Sequence, residues 1–166
     1  ARTKTASQVD DAEAFRHLWN YSNRVDKNMR AALETTDSWT YTTATIRQSN
    51  ANTANQLDFV IGVSEDMVEA TAVQSAQNTN AGVNPTTGIG LDSTTTFISG
   101  YINSYSNANV ASRRVTNVAY YKSIIAEGRH FLSWNEHSEA TGTTTWRGDS
   151  GVPTLSQAGI QGGIKC

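Results

Sequence analysis

A chain of 166 residues with 17% charged side chains and a formal net charge of −2 fits one domain of ordinary size. That balance gives no sign of a basic surface able to neutralise a row of phosphates, so nucleic acid is not an expected partner. Four Trp, six Tyr and four Phe argue against disorder, and no run approaches the ~18 apolar residues of a membrane span.

Ser, Thr and Asn make up roughly three residues in ten, well above the usual share. Thr favours a pleated sheet, while Asn and Ser favour turns, so the mixture points to β structure. Cys166 is the single cysteine, so no intramolecular disulfide framework is expected, and its terminal position predicts a frayed thiol. Ala1-Arg2-Thr3-Lys4 runs into polar and acidic residues rather than an apolar stretch, so no secretory signal peptide is expected.

Along the chain, Ser7 is placed to cap a helix with Asp10 and Asp11 in its first turn. Val9, Ala12, Phe15, Leu18 and Trp19 recur at three- and four-residue spacing, which predicts a helix over about 8–22. From residue 24 the pattern changes to alternation: Val25, Met29, Ala31 and Leu33 predict a strand. The division expected is a helical N-terminal docking arm, 1–23, and a β domain, 24–166. An arm of that length cannot bury its own aromatics. Phe15, Leu18 and Trp19 must pack on the domain, on a sister chain or on another protein, and are the candidate docking residues.

Further strands are predicted over 38–46 and 57–63, where Leu57, Phe59, Ile61 and Val63 share one face, and over 67–73. A polar loop, 78–88, precedes a short strand at Ile89 and Leu91, and 94–102 continues the pattern. After a Ser/Asn loop, 103–109, strands follow over 114–125, 129–137, 143–146 and 160–164. Eight or nine short strands with turn chemistry between them indicate a sandwich or jelly roll. Tyr120, Tyr121, Trp134 and Trp146 fall in strands and read as core or interface residues.

Arg147-Gly148-Asp149-Ser150-Gly151-Val152-Pro153 raises two claims. Gly-Asp-Ser-Gly surrounds the nucleophile of chymotrypsin-like proteases, but that chemistry needs a histidine and an oriented aspartate. Only sixteen residues follow Ser150, too few for the usual closing strands, and neither His17 nor His137 has the family's surroundings. Arg-Gly-Asp also reads as an integrin ligand. A Gly/Asp/Ser/Gly/Pro turn explains both. His130 and His137 have no metal-ligand spacing with Glu136 or Glu139, and Asp10-Asp11 and Glu65-Asp66 read as turn acids rather than an acid/base dyad. No catalytic residue, cofactor or metal is assigned.

Three stretches then carry a likeness. Trp39-Thr40-Tyr41-Thr42-Thr43-Ala44-Thr45-Ile46-Arg47-Gln48-Ser49-Asn50 leads into Asn55-Gln56-Leu57-Asp58-Phe59-Val60-Ile61-Gly62 and Ser64-Glu65-Asp66. Gly88-Ile89-Gly90-Leu91-Asp92-Ser93 follows, and Thr143-Thr144-Thr145-Trp146-Arg147-Gly148-Asp149-Ser150-Gly151 precedes Gly159-Ile160-Gln161-Gly162. Together they resemble the jelly-roll modules of tailed-bacteriophage surface proteins, such as fibre tips and head-decoration proteins, over 37–164. Residues 1–36 lie outside the likeness, and Arg147 stands where the pattern has an aromatic.

The resemblance implies an antiparallel, TNF- or C1q-like jelly roll of about eight strands that forms a homotrimer and has no enzymatic activity. Phe59, Ile61, Tyr120, Tyr121, Trp134 and Trp146 are then trimer-interface or core residues. The expected role is capsid decoration or head fibre on the virion surface, docked on the major capsid or another virion protein through the N-terminal arm. The alternative is a receptor-binding tail-fibre tip, with loops 78–88 or 103–109 on a host receptor or glycan. A serine protease using Ser150 is the remote alternative.

Overall fold

Period-two burial is clearest in the longest strand's sheet, whereas the strands over 56–61, 86–91 and 128–137 are buried on both faces for much of their length. In the longest strand Val68, Ala70, Ala72, Gln74, Ala76 and Asn78 are all buried, and the residues between them face outward. The computed structural model describes residues 3–5, 8, 9, 11–31, 33–100, 104, 105, 110–154 and 156–166. Their strands are β1 (Thr3–Thr5), β2 (Gln8–Val9), β3 (Asp11–Ala12), β4 (Phe15–Arg16), β5 (Asp26–Arg30), β6 (Ser38–Thr40) and β7 (Arg47–Gln48). Next come β8 (Gln56–Ile61), β9 (Met67–Asn78), β10 (Thr86–Leu91) and β11 (Ser104–Tyr105). The last are β12 (Val115–Ile124), β13 (Gly128–His137), β14 (Thr144–Arg147) and β15 (Gly159–Lys165). The only helical pieces among the described residues are 3₁₀ turns at Tyr21–Asn23 and Ser49–Ala51.

The fold is mainly β. One sheet runs β11-β10-β13-β8-β4-β3, with β7 also on β13; the other runs β5-β15-β9-β14-β6, with β12 on β9. A two-stranded ribbon of β1 and β2 stands apart from both. The sheets share one core. The first contributes Leu57, Phe59, Ile61, Ile89, Leu132 and Trp134, and the second Met29, Val68, Ala70, Ala72, Ala119, Tyr121, Ile160 and Ile164. Alanines at 70, 72 and 119 leave volume for the large rings opposite, the complementarity that close packing requires.

The expected strands at 57–63, 67–73, 114–125, 129–137, 143–146 and 160–164 all form, within a few residues of their predicted ends, except that β9 runs on to Asn78. The 78–88 loop is correspondingly shorter, because β10 begins at Thr86. The strand predicted at 38–46 stops at Thr40; Tyr41 then turns its hydroxyl onto the Thr45 carbonyl at 2.9 Å. The described part of 94–102 is not a strand either. Asp92 takes φ +51° and ends β10, and side chains replace ladder partners: Ser133 Oγ donates to the Ser93 carbonyl and Asn135 Nδ2 to that of Thr96. Of the 103–109 loop only Ser104 and Tyr105, as β11, lie within the described residues.

The helix predicted over 8–22 does not form. Residues 11–16 are a hairpin of β3 and β4, and β4 joins β8 in parallel, which also makes this sheet mixed rather than purely antiparallel. The Ala14 carbonyl accepts from Asp58 N–H at 3.0 Å and the Glu13 carbonyl from Arg30 N–H at 2.8 Å. A short isolated helix is marginal in water, so pairing with the sheets overrides its periodicity. Cys166 is also not frayed. It is 2% exposed within the core, exchanges two 3.0 Å backbone bonds with Val25, and burial pushes its thiol pKa up.

Trp19 shows how the segment is seated. Its indole lies on Gly62, where any Cβ would overlap the ring, and its Nε1 donates to buried Asp66 at 3.0 Å. Gly62→Ala should therefore displace Trp19 and cost about 1–3 kcal/mol in urea unfolding. Trp19 fluorescence should shift red at the same time; unchanged stability and emission would remove this seat.

Candidate interaction surfaces

Burying a carboxylate costs several kcal/mol unless donors surround it, and five carboxylates among the described residues are buried: Glu34, Asp58, Asp66, Glu136 and Asp149. Glu136, at the end of β13, has no exposed surface. It accepts from Trp39 Nε1 at 2.9 Å, Arg47 Nε at 2.8 Å, Ser49 Oγ at 3.3 Å, Asn50 N–H at 3.3 Å and Gln74 Nε2 at 3.4 Å. Trp39 and Gln74 belong to the opposite sheet, so this carboxylate ties the two layers together. The 47–51 turn wraps it, with Asn50 and Ala51 at positive φ. Arg47 also lies 3.7 Å over the Tyr41 ring. Burial pushes the pKa of Glu136 up, against the opposing pull of Arg47.

Glu34 stands beside this network. Burial raises its pKa, but hydrogen bonds from Thr36, Asn55 and Asn50 outweigh that and hold it down at about 2. Asp58 joins the N-terminal segment to β13. It meets His17 Nε2 at 3.0 Å and Arg129 Nε at 3.0 Å, with a second, shorter bond from the Arg129 guanidinium. Asp66 accepts from Trp19 and from Arg24 at 2.9 Å. These acids hold internal partners, and their lone pairs face the protein rather than a cleft.

At the Ser150 turn, Ser150 has φ +56° and its Oγ is buried without a hydrogen-bond partner. His17 is held by Asp58, and His130 by Asp92 at 2.7 Å and the Ala126 carbonyl. No Ser–His–Asp relay is joined at Ser150 among the described residues. Arg-Gly-Asp is turned inward: Gly148 is buried against the Thr36 carbonyl, and Asp149, 7% exposed, accepts from Gly151 N–H at 2.9 Å. No group of three or more His, Cys, Asp or Glu side chains converges among the described residues.

Five of the six interface-or-core candidates, Phe59, Ile61, Tyr121, Trp134 and Trp146, are core residues. Trp134 donates to Gln74 Oε1 at 3.1 Å and Trp146 to the Tyr41 carbonyl at 3.1 Å. Tyr120 differs. Half-buried, it stands on the outer face of the β12–β9–β15–β5 sheet. The docking candidates also divide. Trp19 packs on its own domain, whereas Phe15 is 40% and Leu18 44% exposed. Tyr21 and Val25, further along the same segment, are 68% and 45% exposed. Helical periodicity picked out Phe15 and Leu18 but not Tyr21 and Val25, because residues 17–25 follow no regular period once β4 ends; five large apolar residues within eleven positions were the available signal.

No protein-family model matches the chain, and no curated protein is significantly similar to it in sequence.

Two expectations follow from the carboxylates. Glu34 has a folded pKa near 2, below its ordinary 4.5, so its contribution is present above pH 4.5 and lost as pH falls towards 2. Glu34→Gln should lack that acid-limb loss, on the order of 3 kcal/mol, when urea stability is followed from pH 5 to 2. Arg47→Met leaves Glu136 without its cation and should cost about 3–5 kcal/mol at pH 7. That deficit should shrink on acidification as Glu136 protonates; a pH-independent deficit would mean packing alone is lost.

Proposed function

We propose that this chain is a non-catalytic structural protein of a tailed-bacteriophage virion surface. In this reading the two sheets form a jelly roll that assembles as a homotrimer. It serves as a capsid-decoration or head-fibre protein, attached to the major capsid or another virion protein through its N-terminal segment.

One observation carries the attachment. Residues 15–25 are pinned from beneath by His17 on Asp58 and Trp19 on Gly62 and Asp66, while Phe15, Leu18, Tyr21 and Val25 are left exposed. Single exposed apolar residues are ordinary on any surface. Four on one anchored segment of eleven residues offer apolar contacts to a partner chain, and this concentration supports the reading. The polar groups of this segment are spent on holding it in place, and its apolar groups are left for another chain.

Support for the jelly roll comes from eight strands of four residues or more, β5, β8, β9, β10, β12, β13, β14 and β15, around one core. Support for a mechanical role comes from the buried carboxylates, each committed to internal donors. The phage assignment itself rests on the sequence likeness.

Light scattering on the purified chain should give three times its 18.0 kDa mass. Antibody label should decorate particle heads in electron micrographs. Leu18→Asp with Phe15→Ser, both at exposed positions, should change stability by no more than about 0.5 kcal/mol each yet abolish incorporation into particles. A monomer at micromolar concentration would sink the trimer, and label confined to the tail tip would sink the decorating role.

A further inference from the structure

The outer face of the β12–β9–β15–β5 sheet carries a polar cleft that does not include the exposed apolar residues 15, 18, 21 and 25. Strand pairing sets Tyr120, Thr71, Gln161 and Arg30 abreast in one cross-strand row. The next row is Lys122, Glu69, Gly163 and Asn28. An open cleft of about 410 Å³ follows the first of these rows, with Glu13 and Arg30 on one bank and Tyr120 on the other. Its floor is Met29, Ala70 and Gly162.

The chemistry of the banks restricts what fits. Within the cleft Arg30 pairs with Glu13 at 3.2 Å, and Glu69 is paired at 3.2 Å by Lys122, which lies outside the lining, so the cleft has no unpaired cation. An anion such as a phosphate finds no surplus cation, and an apolar peptide finds few apolar walls. What is on offer is a set of planar or forked groups, the Glu13 carboxylate, the Arg30 guanidinium, and the Asn28 and Gln161 amides. Between them they donate and accept at close spacing. Neighbouring sugar hydroxyls need that combination, since each donates one bond and accepts others. The Tyr120 ring at the rim gives the apolar C–H face of a sugar a surface to lie on. The site is also built on paired strands rather than loops, so its groups are spaced before any ligand arrives.

The geometry points to a binding site for a neutral oligosaccharide on this face, across β15. This inference goes beyond the assembly reading and stands without it. Contact with a host-surface or cell-wall glycan would give the outer face a role while residues 15–25 engage another chain.

The test is a microarray of immobilised neutral oligosaccharides, built from hexoses, N-acetylhexosamines and deoxyhexoses, with sialylated and sulfated glycans as the comparison set. The full chain should bind at least one neutral glycan. Tyr120→Ala and Gln161→Ala, both at outward positions, should each weaken that binding by about tenfold, the loss of roughly one hydrogen bond or ring contact, with an unchanged melting temperature. Amide shifts of 28–30, 69–71, 120 and 161 on titration with the same free oligosaccharide should map the cleft. Binding to no neutral glycan, binding confined to the anionic set, or binding indifferent to both substitutions would each overturn the proposal. The mass measured by light scattering is independent of these outcomes, so the two readings fail separately.

Discussion

The fold turns on a negative charge placed where water cannot reach it. Glu136 sits at the end of a central strand of one sheet and draws donors from both sheets and from the 47–51 turn. Uncompensated, such a carboxylate would be among the most destabilising groups in the molecule. Compensated, it fixes the distance and offset between the layers, because Trp39, Arg47 and Gln74 reach it only from one arrangement of strands. Gln74 passes the constraint on. Its carbonyl accepts from Trp134 at 3.1 Å and from Thr87 at 3.2 Å, so three strands are registered around one buried amide. Apolar packing brings the sheets together without direction; the polar network supplies the direction.

The N-terminal segment repeats the device on a smaller scale. Asp58 and Asp66 are buried acids of the first sheet's neighbourhood, and each accepts from a residue of that segment and from an arginine. Arg16 completes the closure, donating from Nε at 3.0 Å and Nη2 at 2.8 Å to the Asn28 carbonyl on the edge of β5. The segment thereby bridges the two sheets along one side, covering an edge that would otherwise be open to pairing with other chains. An apolar helix docked on the outside would have left both the edge and the buried acids unserved.

These arrangements bear on function through what they leave over. Charged groups inside are taken up in holding the layers together. Left over among the described residues are the exposed apolar residues of 15–25 and the polar cleft floored by Gly162. The first is directionless and suited to burial under another protein chain. The second is hydrogen-bonding and suited to a wet, hydroxyl-rich ligand. Their chemistries are different enough that one occupant would not satisfy both.

Much of the β domain was legible from residue order alone, because Thr, Val and aromatic residues at period two have only one face to bury, as in Leu57, Phe59 and Ile61. The buried aromatics were legible as large apolar groups in strands. The N-terminal segment was not, because Phe15, Leu18 and Trp19 are spaced like a helical face, and the decisive partners, Asp58 and Gly62, lie more than forty positions away. The polar network was invisible for the same reason: Glu136 and its donors are separated by up to ninety-seven positions, and nothing local distinguishes it from a solvated glutamate. The row of Tyr120, Thr71, Gln161 and Arg30 likewise exists only once four strands are laid side by side. Residue order determined which segments pleat and which faces they hide. Tertiary pairing decided which charges are buried together and which surfaces remain to be used, because both depend on distances between segments that local propensity does not encode.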